Sequence, residues 1–221
     1  MKQQTVAVFA HPISYIPMDI DGVLDFYQSN IRGQVDLKDS KNGRYLHGDD
    51  PMAGITNYYN TESVFNYYEE LKPLKERLEE GANHIWQKVW NYDTQVKITQ
   101  AWINEAKKDG VQQFHHHANC MMCGTVYLNV TEGDALVFER PGISNPTTPS
   151  LEDEPNAERP NEYGYDFHKD MAIIPVHNGD CLFWPPYLRH GYYNTPTEGR
   201  VSLSFNLMPT EFGSFYNPLG Y

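Results

Sequence analysis

Three cysteines in 221 residues, an odd number, leave no disulfide framework to build a fold on. A reducing cytoplasm is therefore the expected setting. No stretch stays apolar for the roughly 20 residues a membrane-crossing helix needs. The apolar run near the N-terminus is too short for a signal peptide, and His11-Pro12 interrupts it. Positive charge is also scarce: 17 Lys and Arg face 29 Asp and Glu, for a net charge of −12. With no basic cluster longer than a few residues, binding to nucleic acid through phosphate neutralisation is not expected. Internal repeats and low-complexity tracts are absent. Aromatic side chains, by contrast, are plentiful at 14%, with sixteen tyrosines. Such a load suits a β-rich barrel or sandwich walled by wide side chains. The length fits one domain with a sizeable core.

Periodicity divides the chain. Met18–Asn30 reads as a short helix with Val23, Leu24 and Phe26 or Tyr27 on its apolar side and Asp19 or Asp21 as cap. Residues 33–54 are polar, glycine-rich and expected to be irregular. Between Thr61 and Tyr92, Leu71, Leu74, Leu78, Ala82, Ile85 and Val89 recur at intervals of three and four, giving one apolar stripe. Pro73 in a first turn divides that region into two helices. From Gln95 the period changes to two, which predicts Val96, Ile98 and Trp102 on one face of a strand. Further strands are predicted at Met122–Val130, Ala135–Glu139, Met171–Pro175 and Cys181–Trp184. In the last strand Arg200, Ser202, Ser204 and Asn206 face one way and Val201, Leu203, Phe205 and Leu207 the other. Its apolar face can lie on helices and its polar face can line a site. Helices followed by many short strands give an α+β, mainly β domain with N-terminal helices packed on one sheet. The expected division is a mostly helical part at 1–94 and a β core at 95–221, with a long Pro-, Asn- and acid-rich loop at 141–170 that suits a lid or a solvated insertion.

Three histidines carry the chemistry. His115 and His117 stand at i and i+2, so on a strand both imidazoles share a face while His116 turns away. His190, arriving from a distant strand, would close a facial set of three nitrogen ligands with open positions left over, as a catalytic metal requires. The nearby acids substitute poorly: Asp180 follows the Asn178-Gly179 turn and Asp109 precedes a glycine. A competing set is His117-x-x-Cys120-x-x-Cys123 with His115 or His190, whose spacing could hold zinc. His47, His168 and His177 have no partner pattern and read as surface or loop residues.

The run His-His-His-Ala-Asn-Cys-Met-Met-Cys-Gly-Thr-Val-Tyr-Leu, His115–Leu128, resembles the pattern His-x-His-Pro-x-Ser-x-x-Ser-Gly-Val-Tyr-Tyr of the iron(II)/2-oxoglutarate-dependent oxygenases related to the prolyl 4-hydroxylases. Cys181–Asn206 is similar to that family's Phe-Pro-Ser-x-x-x-His block followed by Arg-Ile-Ser-Ile-Ser-Phe-Asn, and Ala101–Asn104 to its Trp-Val-Asn strand. The resemblance implies one oxygenase domain over 1–221 with a double-stranded β-helix (jelly-roll) core. It also implies Fe(II) held by His115, His117 and His190, with 2-oxoglutarate and O2 as cosubstrates and succinate and CO2 as products of a hydroxylation.

Arg200, ten residues after His190, takes the position of the arginine that pairs with the far carboxylate of 2-oxoglutarate; its fork suits that group. Tyr127 matches the tyrosine that assists it, with Ser202 and Asn104 as further candidates for cosubstrate binding. The departure from the better-known sites is His117, where those carry Asp or Glu. Two alternatives stand beside this reading: a three-histidine metal-binding jelly roll without 2-oxoglutarate turnover, and the His/Cys zinc site. The sequence names no prime substrate. It points to no nucleic acid and no membrane as partner, and leaves a homodimer as the assembly to test.

Overall fold

Strand β6 (Val96–Ala106), with eleven residues, is the longest among the described residues and organises the sheet around it. The structure is a computed structural model that describes residues 11–33, 38–39, 44–45, 47–50, 53–141, 171–193 and 195–212. Before β6 come β1 (Ser14–Pro17), α1 (Val23–Asn30), β2 (Lys38–Asp39), β3 (Arg44–Tyr45), β4 (His47–Asp50), β5 (Ile55–Tyr58) and α2 (Lys72–Lys88). After it come β7 (Gln112–His115), β8 (Met122–Asn129), β9 (Ala135–Glu139), β10 (Met171–Pro175), β11 (Asp180–Trp184), β12 (His190–Tyr192) and β13 (Arg200–Pro209). A large antiparallel sheet runs β1-β11-β8-β13-β6-β5-β4, and a smaller one runs β10-β9-β12-β7. A short β2-β3 ribbon stands apart from both. This is the jelly-roll pair of sheets expected from the sequence.

Alternation decides which face of the large sheet goes where. Cys181 and Phe183 of β11 and Val201, Leu203, Phe205 and Leu207 of β13 join α1 and α2 in one apolar core on the outer face. Leu182 and Trp184, the neighbours of the β11 pair, face the other way and pack with Tyr127, Leu136 and Phe138 between the sheets. Both faces of β11 are therefore buried, which explains its unbroken apolar run. Gly124 lets β8 sit against this packing: a Cβ there would come within 2.7 Å of both the Leu182 carbonyl and the Phe205 ring.

Helix α2 does more than cover the sheet. Its stripe of Leu74, Leu78, Ala82, Ile85 and Trp86 is buried, while Val89, past the helix end, is exposed. β5 pairs with β6 only from Ile103 to Ala106, so the outer edge of the Val96 end lacks a strand neighbour. Two α2 side chains replace it. Asn83 accepts from the Val96 N–H and donates to the Val96 carbonyl, and Glu79 accepts from the Ile98 N–H at 3.0 Å. Lys75 and Lys97 balance the Glu79 charge. Glu79→Ala should therefore destabilise the fold by about 2–3 kcal/mol, because it orphans a buried N–H and removes a charge-assisted acceptor. Urea denaturation with an unchanged m-value checks this.

Several expectations need correcting. Helix α1 starts at Val23 rather than Met18, capped by left-handed Gly22 with no side-chain cap; Asp19 instead accepts from the Asp21 backbone. Pro73 does open α2, but the segment before it forms two short 3-10 turns, Val64–Asn66 and Glu69–Leu71, in place of a first helix. Residues 33–54, expected to be irregular, carry β2, β3 and β4. The N-terminal part, expected to be mostly helical, supplies β1, β4 and β5 to the large sheet. Trp102 does not share a face with Val96 and Ile98, because a bulge intervenes. Asn206 pairs with Gln100 and Leu207 with Ile98, leaving Thr99 unmatched and reversing the alternation beyond it. The 141–170 loop and His168 lie outside the described residues, apart from Pro141. Among the described residues, no helix is long and apolar enough to cross a membrane.

Candidate metal centre and cosubstrate cleft

The bulge at Thr99 is what aims Gln100, Trp102 and Asn104 at the space between the sheets. There they meet Ser202, Ser204 and Asn206 of β13, their direct cross-strand partners. A cleft of about 200 Å3 opens over this surface. β7 and β12 of the smaller sheet form its opposite wall and bring in the histidines.

His115 ends β7 and stands directly opposite His190, the first residue of β12. Gly191 makes this pairing tight: a Cβ would lie 2.4 Å from the Gln112 carbonyl. Arg189 pins β12 from the other side, pairing with Glu139 of β9 and donating to the Phe114 carbonyl of β7. His117 lies beyond the end of β7, so the strand argument for the pair holds only for its first member. A hydrogen bond from the His117 N–H to the Pro186 carbonyl holds the chain there at 3.0 Å, and left-handed Asn119 turns it back into β8. His116 is exposed.

One ring nitrogen from each of His115, His117 and His190 lies within 4.8 Å of the others, the one such cluster of histidine, cysteine and acidic side chains among the described residues. Hydrogen bonding settles which nitrogen that is. Nδ1 of His115 donates to the Gln113 carbonyl at 2.8 Å, Nδ1 of His190 to the Leu188 carbonyl at 2.9 Å, and Nδ1 of His117 to Asn206 Oδ1 at 2.6 Å. Carbonyl oxygens only accept, so Nδ1 carries the proton and Nε2 keeps its lone pair. Burial holds the His190 pKa down to about 3, and burial likewise lowers that of His115. Trp184 packs edge-on to His190 at 4.7 Å. Three neutral donors aimed at one point fit a divalent cation of imidazole-binding type.

Behind His117 runs a chain the sequence reading did not anticipate. Asn206 Nδ2 donates to Gln100 Oε1 at 3.1 Å, and Gln100 Nε2 donates to the Asn60 carbonyl at 2.7 Å. Cys120 lies against Cys123 and His117, which lower its thiol pKa to about 6, but neither thiol joins the converging ligand atoms. Cys123 donates to the Trp184 carbonyl, and both Cys120 and Cys123 belong to the core between the sheets, so the His/Cys zinc set does not assemble. Asp180 is occupied by Tyr15 and by the His177 N–H, and His177 Nδ1 lies 3.2 Å from the same carboxylate, a partner its sequence context did not suggest.

Arg200 is the second feature. It is 2% exposed, beneath the cleft. Its guanidinium stacks 3.7 Å from the centroid of the Tyr192 ring and lies 5.3 Å from that of Tyr127. Asp134 sits 3.5 Å from Nε and is itself held by the Thr131 N–H and the hydroxyls of Thr195 and Thr197. The hydroxyls of Tyr127 and Tyr192 are buried without a hydrogen-bond partner. A buried cation with two unused hydroxyl donors beside it fits a carboxylate ligand. Ser202 lines the same cleft, while Asn104 donates to Ser204 at 3.1 Å. Asp134 and Tyr192 were missed as site residues because each acts through contacts between strands far apart in sequence, and Asn206, placed on the polar face of β13, has its His117 partner 89 residues away.

Residues 100–206 match the family described as "Putative 2OG-Fe(II) oxygenase". Over these residues, just under half of the chain, it resembles that family. The matched span holds His115, His117, His190 and Arg200 together. Among solved structures, the chain is similar in fold to HygX from Streptomyces hygroscopicus with nickel, 2-oxoglutarate and hygromycin B bound (TM-score 0.54, 15% identity over 91% of this chain and 84% of that one). The epimerase SnoN in complex with Fe3+, alpha ketoglutarate and nogalamycin RO is similar at TM-score 0.56, 16% identity and 90% and 79% coverage. A Pseudomonas putida prolyl-4-hydroxylase is similar at TM-score 0.51, 10% identity and 90% and 93% coverage. No curated protein matches the sequence.

Proposed function

We propose that the protein is a hydroxylase in which His115, His117 and His190 hold Fe(II) through Nε2 and Arg200 receives the far carboxylate of 2-oxoglutarate. The observation that carries this is the common hydrogen-bond pattern of the three rings, each with Nδ1 spent on a carbonyl oxygen. Bound together, iron and 2-oxoglutarate supply the oxidising chemistry, with release of succinate and CO2. The chain's own residues supply orientation and dryness. Tyr127 and Tyr192 offer hydroxyl donors beside Arg200, and Ser202 lies in the next row of the cleft. Trp184 and Phe138 wall His190 from solvent.

A third neutral ligand leaves the centre one charge more positive than a two-histidine, one-carboxylate site, which favours a dianionic cosubstrate. In this reading His117→Ala loses iron much as His115→Ala does, whereas His117→Asp restores a carboxylate and retains it. Metal content measured beside succinate formation tests the assignment. Full iron occupancy in His117→Ala with little turnover would show that His117 does not ligate.

Asn206 follows from the same logic. Asn206→Leu leaves the His117 Nδ1–H without its acceptor and frees the ring to rotate. Metal affinity should fall about 10–100-fold, the usual cost of losing an outer hydrogen bond to a ligating histidine. Cobalt(II) titration followed by its visible absorption reads both the affinity and the altered ligand geometry.

A further inference from the structure

The part of the cleft beyond the histidines and Arg200 has a chemistry of its own. Asn57 of β5 pairs directly with Asn104 of β6, which pairs with Ser202 of β13, which pairs with Tyr127 of β8. These partners make one polar row across four strands. Asn57 lies two strands, about 10 Å, to the side of Ser202. Trp102 stands in the adjoining row, its ring 5.6 Å from that of His117. Gln112 of β7 closes the row from the opposite sheet, and Asn60 joins at the rim. Asn60 arrives there because Tyr59 adopts a left-handed conformation (φ 64) with its ring buried, turning the chain at the end of β5. The Asn57 and Gln112 carboxamides make no hydrogen bond among the described residues, although both line the cleft.

Charge decides what such a surface can take. Arg200 is the only Lys, Arg, Asp or Glu among the described residues lining the cleft, and Asp134 lies behind it. On the reading proposed above, the two positive charges of iron(II) are matched by those of 2-oxoglutarate, and Arg200 is matched by Asp134. Among the described residues the loaded site is then neutral, and a charged substrate group would be buried there without a counter-charge. Carboxamides both donate and accept, as hydroxyl groups do. The indole offers a flat apolar face. A space of this size, shared with the cosubstrate, admits a small molecule rather than a folded or extended chain.

We infer that the prime substrate is a small uncharged polyhydroxylated ring compound, of sugar or cyclitol type, laid on Trp102 and hydrogen-bonded by Asn57, Asn104 and Gln112. This inference rests on the iron and 2-oxoglutarate reading, which is measured separately below.

The test uses the full chain loaded with 2-oxoglutarate and zinc, a diamagnetic stand-in for iron, and reads probe binding by saturation-transfer NMR. The probes are methyl glucoside and myo-inositol, their charged counterparts glucosamine and glucuronate, and a capped neutral tripeptide. The neutral hydroxylated probes should bind at least about tenfold better than the charged ones, the penalty of a buried unpaired charge. Asn57→Asp should raise glucosamine to at least the level of the neutral sugar. Equal or better binding of a charged probe or of the peptide to the wild-type protein overturns the inference. So does the absence of binding by every hydroxylated probe, or an unchanged probe order in Asn57→Asp. The 2-oxoglutarate dissociation constant of the wild-type protein, taken in the same samples, separates the two readings. Normal 2-oxoglutarate binding with the wrong probe order removes the substrate class alone, whereas no 2-oxoglutarate binding removes the foundation as well.

Discussion

His190→Ala is expected to leave the purified protein without iron and without succinate formation, and His115→Ala to do the same. His116→Ala should keep both. The argument is geometric. His115 and His190 are a cross-strand pair held by backbone hydrogen bonds, with their Nδ1 protons committed to the Gln113 and Leu188 carbonyls. Removing either leaves two ligands, and a labile divalent ion then exchanges into buffer. The loss should exceed a hundredfold in affinity, beyond what removal of an outer hydrogen bond costs. His116 is exposed and outside the ligand cluster, so its truncation touches neither metal nor core. Atomic absorption on the three variants, purified side by side, checks the order. Because His190 also fills space between Trp184 and Phe138, His190→Gln serves as a control of similar bulk. Iron lost from the glutamine variant with an unchanged melting temperature assigns the effect to ligation. Gly191→Ala gives a second route to the same end. Its Cβ would force β12 away from the Gln112 carbonyl and pull His190 from His115, so iron should weaken with all three histidines present.

Much of this was legible in the chain because it depends on short-range periodicity. β9 and β10 fall on the predicted spans, and β8 and β11 lie within one residue of theirs. In β13 the apolar and polar faces divide as alternation requires, since no bulge interrupts the chain between Arg200 and Asn206 on its own side. Where periodicity is broken by an unmatched residue, reading it forward fails. Thr99 shifts Trp102 from the helix face to the cleft, and nothing in the local sequence announces that bulge. The histidine pair was found for a reason only half right. His115 lies on a strand, but His117 reaches the same point from a turn held by Pro186. Convergence there is a tertiary fact, although two histidines two residues apart still signal it. Asp134 reads in sequence as an ordinary turn acid after Glu132-Gly133. Its role depends on Thr195, Thr197 and Arg200, which are some sixty residues away.

Arg200→Lys should weaken 2-oxoglutarate binding by about 30–150-fold while leaving iron in place. Lysine preserves the charge but not the fork, and the loss of one charge-assisted hydrogen bond of about 2–3 kcal/mol accounts for the factor. Packing adds to it. The guanidinium carbon lies 3.7 Å from the centroid of the Tyr192 ring, a contact that an ammonium makes less well, and the shorter donor set cannot serve both Asp134 and a ligand. Asp134→Asn provides the complement. If Asp134 only balanced charge, its removal would leave Arg200 more positive and tighten 2-oxoglutarate. The carboxylate is instead anchored by two threonine hydroxyls and the Thr131 N–H, and it contacts Nε, so a ligand is met by the terminal nitrogens, one of which also donates to the Ala135 carbonyl at 3.5 Å. Positioning then outweighs repulsion, and Asp134→Asn should loosen 2-oxoglutarate by about tenfold. Calorimetric titration of 2-oxoglutarate into wild type, Arg200→Lys and Asp134→Asn, each with measured metal content, decides the matter. An unchanged dissociation constant in Arg200→Lys would make the arginine a structural residue, and tighter binding in Asp134→Asn would make its carboxylate a brake on the site.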